Sequence, residues 1–221
     1  MALFSLAVLC SGRGSNLQAL IDATSTGTLP ARIAAVCSDK PNCTALTRAR
    51  QAGIATRSLR QRDFPDRAAF DRALFADAAQ FAPDLIVLAG YMRIIDPAVV
   101  AQWQGRMINI HPSLLPKYPG LRTHQRAIDA GDAEHGASVH YVSAELDGGP
   151  VIAQAALPVV AGDTAETLAA RLLPLEHHLL VATARLIATG DIALEGGRVV
   201  RDGRPLPAPL RLAVDGKLVA A

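Results

Sequence analysis

Cysteine is rare in this chain of 221 residues, with only Cys10, Cys37 and Cys43 present. An odd set with no C-x-x-C pair, lying in or beside apolar runs, predicts free buried thiols rather than a disulfide framework. Blocks of like charge are missing as well. Lys and Arg number 22 against 20 Asp and Glu, a formal net charge of +2. The electrostatic footprint of a nucleic-acid binder is therefore absent, and any anion recognised should be small and held by a local device. No apolar run approaches the ~20 residues of a membrane span. The apolar start, Leu3 to Cys10, carries no basic leader and stops at Gly12 and Arg13, so it is expected to be the first strand of a cytoplasmic protein without membrane or nucleic-acid partners. Repeats, low-complexity tracts and linkers are missing too, and the length suits a single domain spanning 1–221.

What is present is an alternation. Short apolar runs, Leu3 to Cys10, Ile33 to Ser38, Leu85 to Ala89, Met107 to Ile110 and Ala137 to Val142, are separated by amphipathic stretches of about ten residues. Runs of that kind read as strands covered on both faces, and with intervening helices they predict an α/β fold: a doubly wound, mostly parallel sheet with helices on both faces. The expected helices are Asn16 to Thr24, Thr44 to Ala52, Asp66 to Phe81, Pro97 to Gln102 and Thr123 to Asp129. A longer one begins near Asp163 or Thr164 and runs to about Ala188, interrupted by Pro174. Beyond Gly190, Ile192 to Val200 and Arg204 to Leu212 predict a C-terminal hairpin or tail at about 191–221.

Open α/β sheets bind ligands beyond the carboxyl ends of their strands. After the first strand comes Ser11-Gly12-Arg13-Gly14-Ser15-Asn16. Glycines there let amides turn toward a ligand at a helix start, which makes a monophosphate site, or alternatively a tight turn capped by Ser15 or Asn16. The loop is not a G-x-x-x-x-G-K-S/T motif, so no nucleoside triphosphate is called for. Ala89 to Ile95 can wall a flat heterocycle or be ordinary core. Asn109 and His111, two apart at a strand end, emerge on one face and start a proline-rich loop to Gly120. Asp147, before Gly148-Gly149, can hold the His111 imidazole and favour its charged form if that turn folds over it. Ser113 lacks the G-x-S-x-G elbow of a hydrolase nucleophile and is expected to hydrogen-bond the loop. His135, His140, His177 and His178 form no credible zinc set, so no metal is expected. His124 remains a candidate substrate contact.

With Gly12 to Ala19, Val87 to Ile94, Asn109 to Gly120, Glu134 to Gly136 and Leu146 to Ile152 assembled, the chain resembles the phosphoribosylglycinamide formyltransferases, a folate-dependent family with a Rossmann-like fold. The resemblance implies that Asn109, His111 and Asp147 are catalytic. It implies that Gly14, Ser15 and Asn16 hold the ribonucleotide phosphate and that Glu176 contacts the far end of that substrate. The folate would lie along Met92, Arg93, Ile94, Ile95 and Asn109 and the loop Ser143, Ala144, Glu145, Leu146 and Asp147, with Arg67 as a further contact. The implied substrates are glycinamide ribonucleotide and 10-formyltetrahydrofolate, the latter as formyl donor, and the implied state is a monomer or homodimer. Two departures from the family pattern are Arg13, where an Asn is common, and Leu173-Pro174-Leu175 before Glu176. The rival formyl acceptors, an aminoacylated tRNA and water, belong to relatives that carry an additional C-terminal or N-terminal domain, for which this chain is expected to lack the room.

Overall fold

The computed structural model describes residues 3–220, so Met1 and Ala2 of the apolar start lie outside the described residues. Its elements are β1 (Phe4–Leu9), α1 (Ser15–Ser25), β2 (Ala31–Ser38), α2 (Thr44–Gln51), β3 (Ala55–Ser58), α3 (Arg67–Ala79), β4 (Leu85–Leu88), α4 (Pro97–Gln102), β5 (Met107–His111), α5 (Thr123–Asp129), β6 (Glu134–Tyr141), β7 (Val151–Pro158), α6 (Ala165–Ala188), β8 (Ile192–Glu195), β9 (Arg198–Arg201), β10 (Arg204–Pro205), β11 (Leu210–Leu212) and β12 (Leu218–Val219). The architecture is α/β. Two compact units divide the chain after Asn109.

In the first unit the strands pair in parallel in the order β5, β4, β1, β2, β3. Leu6, Ala7, Val8, Ile86 and Val87 are wholly buried, as apolar strands covered on both faces require. Chain direction through the sheet reverses between β1 and β4, and the loops that follow those two strands flank the switch point where such sheets take ligands. The strand β3, Ala-Thr-Arg-Ser, lies at the sheet edge and is only partly buried, which is why no apolar run announces it. Among the described residues no helix is long and apolar enough to cross a membrane. Cys10, Cys37 and Cys43 are free and buried, and burial pushes the Cys37 thiol up to about 12.

The second unit is built on β6 and β7, an antiparallel pair, extended by β11 parallel to β7 and β12 antiparallel to β11. Helix α6 packs on β6 and β7 through Leu168, Leu172, Leu179 and Leu180, all fully buried. Its start is a capping box, with Thr164 accepting the Thr167 amide while the Thr167 hydroxyl accepts the Thr164 amide. The expected interruption at Pro174 does not occur: the helix runs through it. Proline removes one bond to the carbonyl four residues back, but Ala170 and Pro174 both lie on the exposed side, where water can serve that carbonyl. The tail bends at both places expected, Gly196-Gly197 and Asp202-Gly203. Gly196 and Gly197 make the turn of a β8–β9 hairpin, β10 adds to β9, and β11 joins the larger sheet.

Candidate active site

Two features of the first unit stand at the switch point. Gly14 precedes α1 in the left-handed region, at φ 73°, and a Cβ there would lie 2.7 Å from Cα of Ala45 on α2. Only glycine satisfies both conditions. No side chain caps α1, so the capped turn expected as the alternative for this loop is not formed. The first-turn amides, with the helix dipole behind them, present an anion-binding end. The loop after β4 is tied to this one by Ser11, whose amide donates to the Gly90 carbonyl at 3.0 Å and whose hydroxyl accepts the Met92 amide at 3.0 Å.

That second loop exposes apolar surface. Met92 is 63% and Ile94 54% exposed, while Tyr91 and Ile95 are buried beneath them. Arg93 turns away from this surface to pair with buried Asp39 at 3.3 Å and stacks on Phe70 at 5.3 Å. Its backbone belongs to the wall; its guanidinium fixes the loop. Arg67 opens α3, exposed, one residue after the Asp66 cap.

In the second unit the chain leaves β5 through His111 into a pinned loop. Its peptide Leu115–Pro116 is cis. The Ser113 hydroxyl donates to the Lys117 carbonyl at 2.6 Å, the structural role expected of it. Buried Ser138 on β6 donates to the Ser113 carbonyl at 2.7 Å and accepts the Leu115 amide and the Gln154 side-chain amide, each at 3.0 Å. Gln154 also donates to the Leu115 carbonyl. The loop then brings the Tyr118 carbonyl to 2.9 Å from Nε2 of His111.

The turn after β6 supplies the carboxylate. Gly149 lies so close to the end of β6 that a Cβ would stand 1.8 Å from the Tyr141 carbonyl oxygen, and Asp147 itself is held at φ 51°. This close approach directs Asp147 inward. Its Oδ2 accepts the Gly120 amide at 2.8 Å and lies 3.5 Å from Nδ1 of His111, while Oδ1 is 3.7 Å from Nε2 of His140. Asn109 stands two residues before His111, on the same face of β5 by strand alternation.

Charge in this cluster is finely opposed. Burial lowers the proton affinity of His111 most strongly; the Tyr118 carbonyl and Asp147 pull it up, and the net direction is down. Burial likewise works against ionised Asp147, but His140, the Gly120 amide and His111 together outweigh it and hold the carboxyl below its usual range. A carboxylate beside an imidazole whose proton affinity is drawn both ways suits a group that must gain and lose a proton in turn.

Of the remaining expected residues, Ser143, Ala144, Glu145 and Leu146 form the turn leading to Asp147, with Leu146 half exposed. Glu176 lies half-buried on α6. His124 pairs with His135 at 3.0 Å. Among the described residues no group of three or more His, Cys, Asp or Glu is disposed to hold a metal ion. Sequence reasoning missed Ser138 and weighed His140 only as a metal ligand. Their signal was spacing: both are polar residues on one face of β6, two apart, in an otherwise apolar run.

Comparison with known proteins places this geometry in context. The formyl transferase family model matches residues 4–184. A phosphoribosylglycinamide formyltransferase of Escherichia coli (strain K12) is 49% identical over 92% of this chain and 96% of its own length. One from Haemophilus influenzae is 43% identical over 91% and 95%. The solved structure of the Coxiella burnetii phosphoribosylglycinamide formyltransferase, a complex with CHES, superposes with a TM-score of 0.89 at 46% identity, covering 93% of this chain and 96% of that one.

Proposed function

The chain belongs to the formyl transferase family, among the phosphoribosylglycinamide formyltransferases, and from that premise we propose that it moves the formyl group of 10-formyltetrahydrofolate onto the amine of glycinamide ribonucleotide, a cytoplasmic step of purine biosynthesis. The observation that carries the assignment of roles is the buried approach of Asp147 to His111 at 3.5 Å. In this reading Gly14, Ser15 and Asn16 hold the phosphate, and Glu176 takes the far end of the ribonucleotide. Met92 to Ile95, Arg67 and the Ser143 to Asp147 turn receive the folate. The expected state is a monomer or homodimer.

The neutral amine attacks the formyl carbon, forming a C–N bond and a tetrahedral intermediate whose oxygen becomes negative. The Asn109 amide and protonated His111, its Nε2–H turned from the Tyr118 carbonyl to the substrate, donate to that oxygen, each such preorganised donor being worth ~3 kcal/mol. The amine proton passes, through His111 or a bridging water, to N10 of the folate as the C–N10 bond breaks, which contributes ~10²–10⁴-fold. Tetrahydrofolate and the formylated ribonucleotide leave. Holding two substrates in register supplies a further ~7–11 kcal/mol, so the two binding loops matter as much as the acid–base group. Asp147 keeps the imidazolium accessible in a site whose burial disfavours it.

The test is to incubate purified protein with both substrates and follow tetrahydrofolate. Release that depends on the glycinamide amine supports the proposal. Release of formate with water as acceptor, or no turnover, overturns it.

A further inference from the structure

His140 has no part in the transfer as described so far, yet its surroundings mirror those of His111. It is 2% exposed and lies near the end of β6. Its Nδ1 is 2.9 Å from the Tyr141 carbonyl. A carbonyl only accepts, so Nδ1 carries a proton and donates. The other nitrogen, Nε2, faces Oδ1 of Asp147 at 3.7 Å. His111 is arranged the same way: Nε2 donates to the Tyr118 carbonyl at 2.9 Å, and Nδ1 faces Oδ2 of Asp147 at 3.5 Å. Each ring thus has one nitrogen committed to main chain and the other aimed at one oxygen of a single carboxylate.

This arrangement has a consequence for proton counting. Because the carbonyl-facing nitrogens must be protonated, a proton on the Asp147-facing nitrogen of either ring makes that ring a cation. The two rings compete for the stabilisation that one carboxylate can give, and His140 lowers the proton affinity of His111. We infer that His140 is a positioning residue for formyl transfer: it holds the Asp147 oxygen that His111 does not take, and it divides the carboxylate's field so that His111 releases its proton more readily.

The other charged or titratable groups around the pair belong to named elements. Helix α5 carries His124 and Arg126, both of which interact electrostatically with His111. Strand β6 carries His135, and α6, packed on β6, carries Glu176 and His177. Opposite His140 on β7 stands Val151, which cannot titrate. Asp147 lies in ion-pair range of both His111 and His140.

The inference rests on the reading of His111 and Asp147 as working parts of the transfer, and its test separates the two. In His140→Gln a neutral amide can still donate to the carboxylate; in His140→Ala no side chain at 140 can. NMR titration of the His111 ring in each variant, assigned with His111→Gln, needs no substrate. Loss of the competing ring should raise the His111 titration midpoint by about 0.5–1 unit in His140→Gln. In steady state His140→Ala should lose about tenfold or more in kcat with both KM values within about twofold, the pattern of an interaction made in the transition state. His140→Gln should recover most of kcat while moving the alkaline limb of its pH profile upward. A His111 midpoint unmoved in both variants overturns the inference, as does a loss in His140→Ala that is matched by weakened binding of both substrates or is not rescued by Gln. Should His140→Ala fail to fold, His140→Gln decides alone. If the wild-type protein transfers no formyl group, the proposed function fails while the titration still settles what His140 does to His111.

Discussion

Gly149 and Tyr141 are packed so tightly that the glycine's missing side chain would stand 1.8 Å from the tyrosine carbonyl oxygen. This contact, with the neighbouring bond from the Tyr141 amide to the Pro150 carbonyl at 3.0 Å, anchors the turn that delivers Asp147. Gly149→Ala should therefore cost stability of about 1–3 kcal/mol through overpacking and lower kcat by more than that loss alone explains. Urea denaturation beside steady-state kinetics at a temperature where the variant is folded will show it; a variant with native stability and activity would mean that the turn can shift freely.

Asp147→Asn keeps the shape of the carboxylate and removes its charge. Turnover should drop by about 10²–10⁴-fold with KM values little changed, and the His111 midpoint should fall, since a group pulling it up has gone. A normal kcat in a correctly folded variant would remove Asp147 from the proposed chemistry.

Stability should decline in acid for two reasons with the same sign. Burial first, then His124, depresses His135 to about 4, below the ~6.5 of an unfolded histidine. Its contribution is fully present above the unfolded value and is lost as pH falls through the folded one, on the order of 3 kcal/mol at most. Asp147, also depressed, contributes above ~3.9 and loses that contribution at lower pH still. Denaturation midpoints measured over this window should slope for the wild type and slope less steeply between 6.5 and 4 for His135→Gln. Equal slopes would assign the acid sensitivity elsewhere.

The two loops of the first unit should separate the two substrates. Gly14→Ala forces a side chain into a left-handed residue and against α2, so it should raise KM for the ribonucleotide and lower stability by about 1–3 kcal/mol. Met92→Ser with Ile94→Ser removes exposed apolar surface and should raise KM for the folate while leaving that for the ribonucleotide within about twofold, since substitutions at separated sites act independently.

Much of this molecule is readable from residue order alone. The buried parallel strands announce themselves because covered strands are apolar throughout, and the α4 and α5 boundaries follow from Pro97 and Thr123. Edge strand β3 carries Thr56, Arg57 and Ser58 and gives no such signal. Gly196-Gly197 and Asp202-Gly203 are equally good turns in one dimension, and pairing shows that both close hairpins, β8–β9 and β9–β10. At the site, strand alternation brings out Asn109 and His111. The inward aim of Asp147 depends on a close glycine contact with the end of the preceding strand, and the net proton affinity of His111 depends on burial, so neither is visible before folding.

The Ser138 hydroxyl gives its single proton to the Ser113 carbonyl and uses both lone pairs on Leu115 and Gln154. Its bonding capacity is full, with nothing left for a newcomer. Shortening, lengthening or repacking the His111 loop would therefore strand at least one buried partner, so engineering of this segment has to change 113–115, 138 and 154 as one unit.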